Sequence, residues 1–349
     1  MSKKLKVVVF GTGFIARNHC EGWSKVPNAE VVGLYSPSGS GFDGRFARAG
    51  NLGEGGFALD MSGVKCSRDW HDFLGAGYDV LDICTPTRTH KELALAGLEA
   101  GKHVFCEKPL TLTPEDAQEL ADAAARASGM SMVGHCMRFW PGWTELAPWI
   151  RQKAFGGVYS ASFQRLTDVP GWSPEFRNGN STGGAVTDLM IHDLDLAIWL
   201  FGVPNSVYAL GRNVMSTDGA LDDVTAMLRY QDGMHVTVST TWARNPKLGF
   251  EAKFEVRCES ATLTGGFAAP GLTVHGAEKP SLEVPYQYGQ ATGWEGQLHY
   301  FAECIAAGKK PTEATFSDAV IALRLVAAVK QSVLHAKPIY TFADSMIDD

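Results

Sequence analysis

Lys6-Val7-Val8-Val9-Phe10-Gly11-Thr12-Gly13-Phe14-Ile15-Ala16 decides the fold. An apolar run stops in a glycine turn and opens onto a helix, the pattern of a dinucleotide-binding βα unit. Gly11 permits the tight turn, Gly13 leaves no side chain between backbone and pyrophosphate, and Ala16 lets the helix lie close on the sheet. The anion would then meet free N–H groups at the positive end of the helix dipole. A second strand, Ala29 to Tyr35, follows at βαβ spacing.

The residue that ends this second strand bears on the choice of cofactor. An Asp or Glu about 20 residues beyond the glycines binds the ribose 2′-OH of NAD. Ser36 stands there instead. Its hydroxyl suits either a ribose hydroxyl or a 2′-phosphate, and no carboxylate is present to repel the phosphate. No Arg follows at once, since Arg45 and Arg48 come only after Pro37-Ser38-Gly39-Ser40. Both NAD and NADP therefore stay open.

Outside this motif, composition narrows the class. The 349 residues suggest two domains, with a boundary placed at 125/126 where the strand–helix alternation ends. Hydrophobic residues at 45% and charged residues at 20% fit a soluble globular protein. A net charge of −7 offers no basic field for nucleic acid. The N-terminal apolar run breaks at Gly11, too short for a signal peptide, and no stretch approaches the ~18 apolar residues of a membrane span. Seven scattered cysteines with no Cys-x-x-Cys pair fit reduced thiols in the cytoplasm better than a disulfide frame or a zinc site.

Residues 1–125 alternate strands and helices: Val80 to Cys84, a helix from about His90 to Ala100, Lys102 to Cys106, and a helix opened by Thr113-Pro114-Glu115-Asp116. That order argues a doubly wound parallel sheet. After a short strand, Met130 to Gly134, residues 126–349 change texture. Alternating strand-like runs between about 155 and 285 argue a large, mainly antiparallel sheet, with a helix near Thr187 to Leu200 against one face. Helical periodicity returns at Gly296 to Ala307 and Ser317 to His335.

Two constellations could carry chemistry. Glu107-Lys108-Pro109 follows a strand directly, at the carboxyl edge where open α/β sheets bind ligands. A lysine there either serves a substrate hydroxyl or is merely solvated; Pro109 restricts it to extended geometry. Gly183-Gly184-Ala185-Val186-Thr187-Asp188 runs on to His192-Asp193. A helix from Thr187 would put Asp188 and His192 one turn apart on one face. A histidine can take an alcohol's proton and an acid beside it can orient the ring, although the same pair is often structural. The spacing also admits a metal, but no third ligand cluster accompanies it, so no metal site is expected.

Gly11 to Ala16, Thr85-Pro86-Thr87 with His90, Glu107-Lys108-Pro109, Arg138-Phe139 with Pro141, Gly183 through Asp193, and the tail Phe301 to Ser332 occur in an order that resembles the Gfo/Idh/MocA (glucose-fructose oxidoreductase, inositol dehydrogenase) family. The likeness spans nearly the whole chain. It implies a Rossmann domain followed by an α/β domain whose open sheet face pairs subunits into a homodimer or homotetramer. It also implies an NAD- or NADP-dependent dehydrogenase acting on a secondary hydroxyl of a sugar, sugar derivative or inositol. Lys108, Asp188 and His192 would be catalytic. Gly11, Gly13, Phe14, Ile15, Ser36, Thr85, Pro86, His90, Glu107 and Lys108 would meet the cofactor. Lys108, Arg138, Trp140, Trp172, Asp188 and His192 would meet the substrate, with Trp143 and Arg177 as further aromatic and polar candidates. Ser36 departs from the acid of NAD-preferring members, and Trp140 from a small polar residue common there. A non-redox, NAD-using glycosidase and a catalytically inactive ligand-sensing regulator are the alternatives, although a sensor has no need of all three catalytic residues.

Overall fold

The computed structural model describes residues 4–46, 50, 57–171, 174–267, 271–276, 278–280 and 292–341. Strand β1 (Leu5–Phe10) is fully buried from Val7 to Phe10, as its unbroken apolar run requires between two covered faces. Helix α1 (Phe14–Ser24) follows, then β2 (Ala29–Tyr35), β3 (Lys65–Ser67), β4 (Val80–Ile83), α2 (His90–Glu99), β5 (His103–Cys106), α3 (Pro114–Arg126) and β6 (Ser131–Val133). Thr113 caps α3 by accepting from Asp116 N–H at 3.2 Å, with Pro114 in the first turn. The six strands pair in parallel in the order β3-β2-β1-β4-β5-β6. The chain reverses its direction of travel between β1 and β4, so the carboxyl ends of these two strands flank the place where such sheets bind dinucleotides.

The chain forms two compact units, Met1–Phe139 with Tyr286–Val320, and Trp140–Pro285 with Ile321–Asp349. In the second unit, α4 (Leu146–Arg151) precedes β7 (Val158–Leu166), and α5 (Gly179–Thr182), α6 (Ala185–Asp188) and α7 (Ile191–Phe201) lead to β8 (Ser206–Arg212), β9 (Asp223–Arg229), β10 (His235–Thr241), β11 (Glu251–Cys258), β12 (Thr262–Gly266) and β13 (Leu272–His275). With β14 (Ile339–Tyr340) they form one sheet, β13-β12-β11-β7-β10-β9-β8-β14. All its pairings are antiparallel except β7 with β10, a parallel exception made possible by the long connection between them, which runs through α5–α7, β8 and β9. Helices α6 and α7 pack against one face.

Two expectations need correction. The single helix near Thr187 to Leu200 is broken after Asp188: Met190 N–H reaches back to Ala185 O at 2.8 Å, and a new helix begins at Ile191. A cut of the chain at 125/126 also misses a return. Helix α8 (Gly293–Ala307) packs against α1 in the first unit, where a Cβ on Gly22 would lie 2.8 Å from Leu298. The last helix, α9 (Phe316–His335), starts in the first unit and runs on into the second.

Candidate active site

In the first unit the motifs that begin at Gly11, Thr85 and Glu107 follow the carboxyl ends of β1, β4 and β5. Gly11 has φ +107°, and a Cβ there would sit 2.7 Å from the carbonyl oxygen of Cys84, on the neighbouring strand's exit. Only glycine fits both demands. Gly13 is different: it is exposed, with extended backbone, and a Cβ added there would meet nothing within 4 Å. The protein's own packing does not require this glycine, whereas a pyrophosphate approaching the backbone at the start of α1 does. The residues present therefore fit a dinucleotide. Phe14 and Ile15, half-buried, open the helix, and the Phe14 ring meets Trp294 edge-on at 5.8 Å.

These two glycines give opposite predictions. Gly11→Ala should lower stability by roughly 1–3 kcal/mol from backbone strain alone. Gly13→Val should melt like the parent yet lose binding of both NAD and NADP, as read by thermal denaturation and nucleotide titration. Unchanged affinity in the Gly13 variant would place the pyrophosphate elsewhere.

Beneath the glycine turn lies a buried charge cluster that sequence reasoning missed. His19 of α1, with no exposed surface, faces Asp82 through Nδ1 (2.9 and 3.0 Å) and Glu107 through Nε2 (3.0 Å). Burial opposes its charge, but the two carboxylates prevail and push its pKa up to about 10. Burial likewise works against ionised Glu107, yet His19 and then Lys108 hold that carboxyl below its usual range. Trp23 donates its indole N–H to Asp82 at 2.7 Å. His19, Asp82 and Cys84 also form a cluster of possible metal ligands. An imidazolium that donates from both nitrogens has no lone pair left for a cation, so the cluster is better described as an ion-pair core. A signal was present in the sequence: Asp82 sits inside the otherwise apolar strand Val80-Leu81-Asp82-Ile83, all of it buried, and a buried acid needs a partner.

Glu107 in turn accepts from the backbone N–H of Lys108 at 3.0 Å, so the ion pair fixes the start of the loop that carries the half-exposed lysine. The Lys108–Pro109 peptide is cis. His90 holds the far side of the same loop. Its Nδ1 lies 2.9 Å from Pro109 O and its Nε2 2.8 Å from Thr85 O, and burial lowers its pKa. A neutral ring can donate to only one of these carbonyls. His90 thus ties the loop after β4 to the loop after β5 from a buried position, while Thr85 and Pro86 themselves are more open. Arg138 is also buried, within 3.3 Å of Asp318 and 3.6 Å of Glu313, so a substrate would have to compete with two carboxylates for it.

In the second unit Asp188 and His192 are half-exposed among buried neighbours: Thr187, Leu189, Ile191 and Asp193. Gly184, at φ +76°, brings the chain so near Leu221 that a Cβ would stand 2.7 Å from that residue's carbonyl oxygen. Asp193, next to His192, is gripped by Arg165 of β7 through Nε (3.1 Å) and Nη2 (2.8 Å), both side chains buried. Burial nevertheless raises the Asp193 carboxyl above its usual range. This paired geometry fixes the first turn of α7 on the sheet. Of the aromatic candidates, Trp140 is half-buried and meets Phe267 edge-on at 4.7 Å. Trp143 is core, packed on Phe254 and Phe267, and Arg177 is exposed. Trp172 lies outside the described residues.

Comparison with known proteins gives the family and the fold. Residues 5–135 match an oxidoreductase family with an NAD-binding Rossmann fold, and residues 143–264 match the GFO/IDH/MocA C-terminal domain. The chain is 27% identical to scyllo-inositol 2-dehydrogenase (NAD(+)) of Bacillus subtilis, over 97% of each chain. It is 26% identical to D-apiose dehydrogenase of Paraburkholderia graminis, over 96% of this chain and 88% of that one. Levoglucosan dehydrogenase, solved with NADH and levoglucosan, shares the fold with a TM-score of 0.80 at 20% identity, over 98% of this chain and 100% of that one.

Proposed function

The chain belongs to the Gfo/Idh/MocA oxidoreductase family, with its NAD-binding Rossmann fold, and from that premise we propose that it oxidises a secondary hydroxyl of a sugar, sugar derivative or inositol, or runs the reverse reduction. One observation carries the assignment of residues. Two of the three half-exposed candidates, Lys108 and His192, stand next in sequence to a buried, ion-paired carboxylate, Glu107 with His19 and Asp193 with Arg165. Such anchoring fixes the backbone beside a reactive side chain.

A nicotinamide dinucleotide held at Gly11 and Gly13 would supply the hydride acceptor for the carbon that bears the reacting hydroxyl. His192 takes the hydroxyl proton as general base. Lys108 donates a hydrogen bond to the same oxygen and favours its anionic form, and Asp188 binds a neighbouring hydroxyl or orients the base. The product is a ketone or lactone. Incubation with NAD or NADP and a panel of inositols, aldoses and sugar derivatives tests this: net reduced nicotinamide must accumulate with at least one of them. A substrate consumed without such accumulation would favour the glycosidase, and ligand binding without turnover the regulator.

We also propose self-association through the sheet face that α6 and α7 leave open. Tyr208, Leu210 and Met227 stand exposed there at 40%, 63% and 51%, with Tyr208 opposite Met227 in register. Met227→Arg should shift a homodimer or homotetramer toward a smaller species in light scattering, and a monomeric parent protein would refute the interface. Among the described residues no helix is long and apolar enough to cross a membrane. The seven cysteines form no disulfide and fit the reducing cytoplasm, which cell fractionation would check.

A further inference from the structure

We infer that the adenosine end of the cofactor site is built for a 2′-phosphate, recognised by Arg68 and a cluster of four hydroxyls, so that this protein prefers NADP over NAD. The ligand is the cofactor of the proposed dehydrogenase, and the preference rests on that reading. Ser36 is buried at the end of β2, where an NAD-selective sheet would carry an acid. Around it the hydroxyls of Thr12, Ser38 and Ser40 close a ring: Ser36 lies 3.4 Å from Thr12, 3.2 Å from Ser38 and 3.3 Å from Ser40, Ser38 to Ser40 is 2.9 Å, and Thr12 to Ser40 is 3.1 Å. Each can turn its O–H toward an anion. A carboxylate could only repel one.

The positive charge comes from the neighbouring strand, which is why the residues after Ser36 do not reveal it. β3 pairs in parallel with β2, Tyr35 opposite Ser67, and Ser36 N–H donates to Ser67 O at 3.1 Å. Arg68 is the next residue. Its guanidinium crosses the turn that starts at Ser36, with Nε and Nη2 each 2.8 Å from the point a Cβ on Gly39 would occupy. Arg68 is exposed and makes no ion pair among the described residues. The adjacent acid, Asp69, is engaged by His71, accepting from its N–H at 3.0 Å and lying 2.6 Å from its ring. An exposed guanidinium against Gly39, between the hydroxyl-bearing Ser38 and Ser40, with no acid at the end of β2, is a set of donors suited to a phosphate dianion.

Calorimetric titration of NAD⁺ and NADP⁺ into the full-length parent, Arg68→Ala and Ser36→Asp tests this without any substrate. The parent should bind NADP⁺ at least about 10-fold more tightly. Arg68→Ala should weaken NADP⁺ by about 10–100-fold, the usual scale for a lost charged hydrogen bond, and leave NAD⁺ within about twofold. Ser36→Asp should reverse the preference; because Arg68 is exposed, its variant remains informative even if the buried Ser36 change impairs folding. Tighter NAD⁺ than NADP⁺ in the parent, or an equal loss of both in Arg68→Ala, would overturn the preference while sparing the dehydrogenase. Binding of neither nucleotide would overturn both.

Discussion

Replacing His192 by alanine is expected to lower kcat by about 10²–10⁴-fold while nicotinamide dinucleotide affinity stays near the parent value. The change removes the proposed base and leaves Gly11, Gly13 and the rest of the α1 entrance untouched. Lys108→Ala should cut turnover steeply as well, since the developing oxyanion loses its cationic partner. The double variant should lose less than the product of the two single losses, because groups serving one hydroxyl act as a unit. In His192→Ala the pH optimum should rise as solvent hydroxide takes over from the imidazole. Near-normal kcat in either single variant, on an identified substrate, contradicts the assigned roles and leaves the fold assignment standing.

His19→Ala should be among the most damaging single changes to stability, at roughly 3–5 kcal/mol, because it strands Asp82 and Glu107 as buried carboxylates without their cation. The pH dependence carries the sign. His19 has its pKa raised from 6.5 in the unfolded chain to about 10, so its contribution is full below 6.5 and is lost as pH rises through about 10. Thermal unfolding between these limits should show the parent losing stability with rising pH, and His19→Gln losing correspondingly less. The glutamine variant preserves most of the volume and guards against outright misfolding. An unchanged pH slope would mean that the ring is neutral in the folded protein. Because Glu107 fixes the Lys108 N–H, the same variant should also impair turnover more than nucleotide binding.

Much of the fold was legible because it is written in local pattern. The apolar strand into Gly11, the strands that run into Thr85 and Glu107, and the alternation from Val158 to Cys258 each declare themselves within about ten residues. The return of α8 to α1 is not written locally. It depends on contacts nearly 300 positions apart, such as Gln297 lying 3.4 Å from the ring of His19. The three-residue strand β3 follows a glycine-rich stretch and has too little periodicity to stand out, yet it delivers Arg68. The break after Asp188 was hidden because Leu189 and Met190 are good helix formers, and only tertiary packing interrupts them. Of the candidate residues, Lys108, Asp188 and His192 were named by resemblance, whereas the buried partners of their neighbours, His19 and Arg165, were not, because a buried ion pair joins residues from separate elements.

The most direct test of the proposed reaction follows a hydrogen atom. Once a substrate is found, its reacting carbon is labelled with deuterium and the protein is run with oxidised cofactor to completion. The proposed dehydrogenase predicts one deuterium at nicotinamide C4 for every ketone or lactone formed, with a primary isotope effect on hydride transfer when that step limits turnover. Product that forms while the label is retained on the sugar or lost to water, with no reduced nicotinamide accumulating, would contradict it.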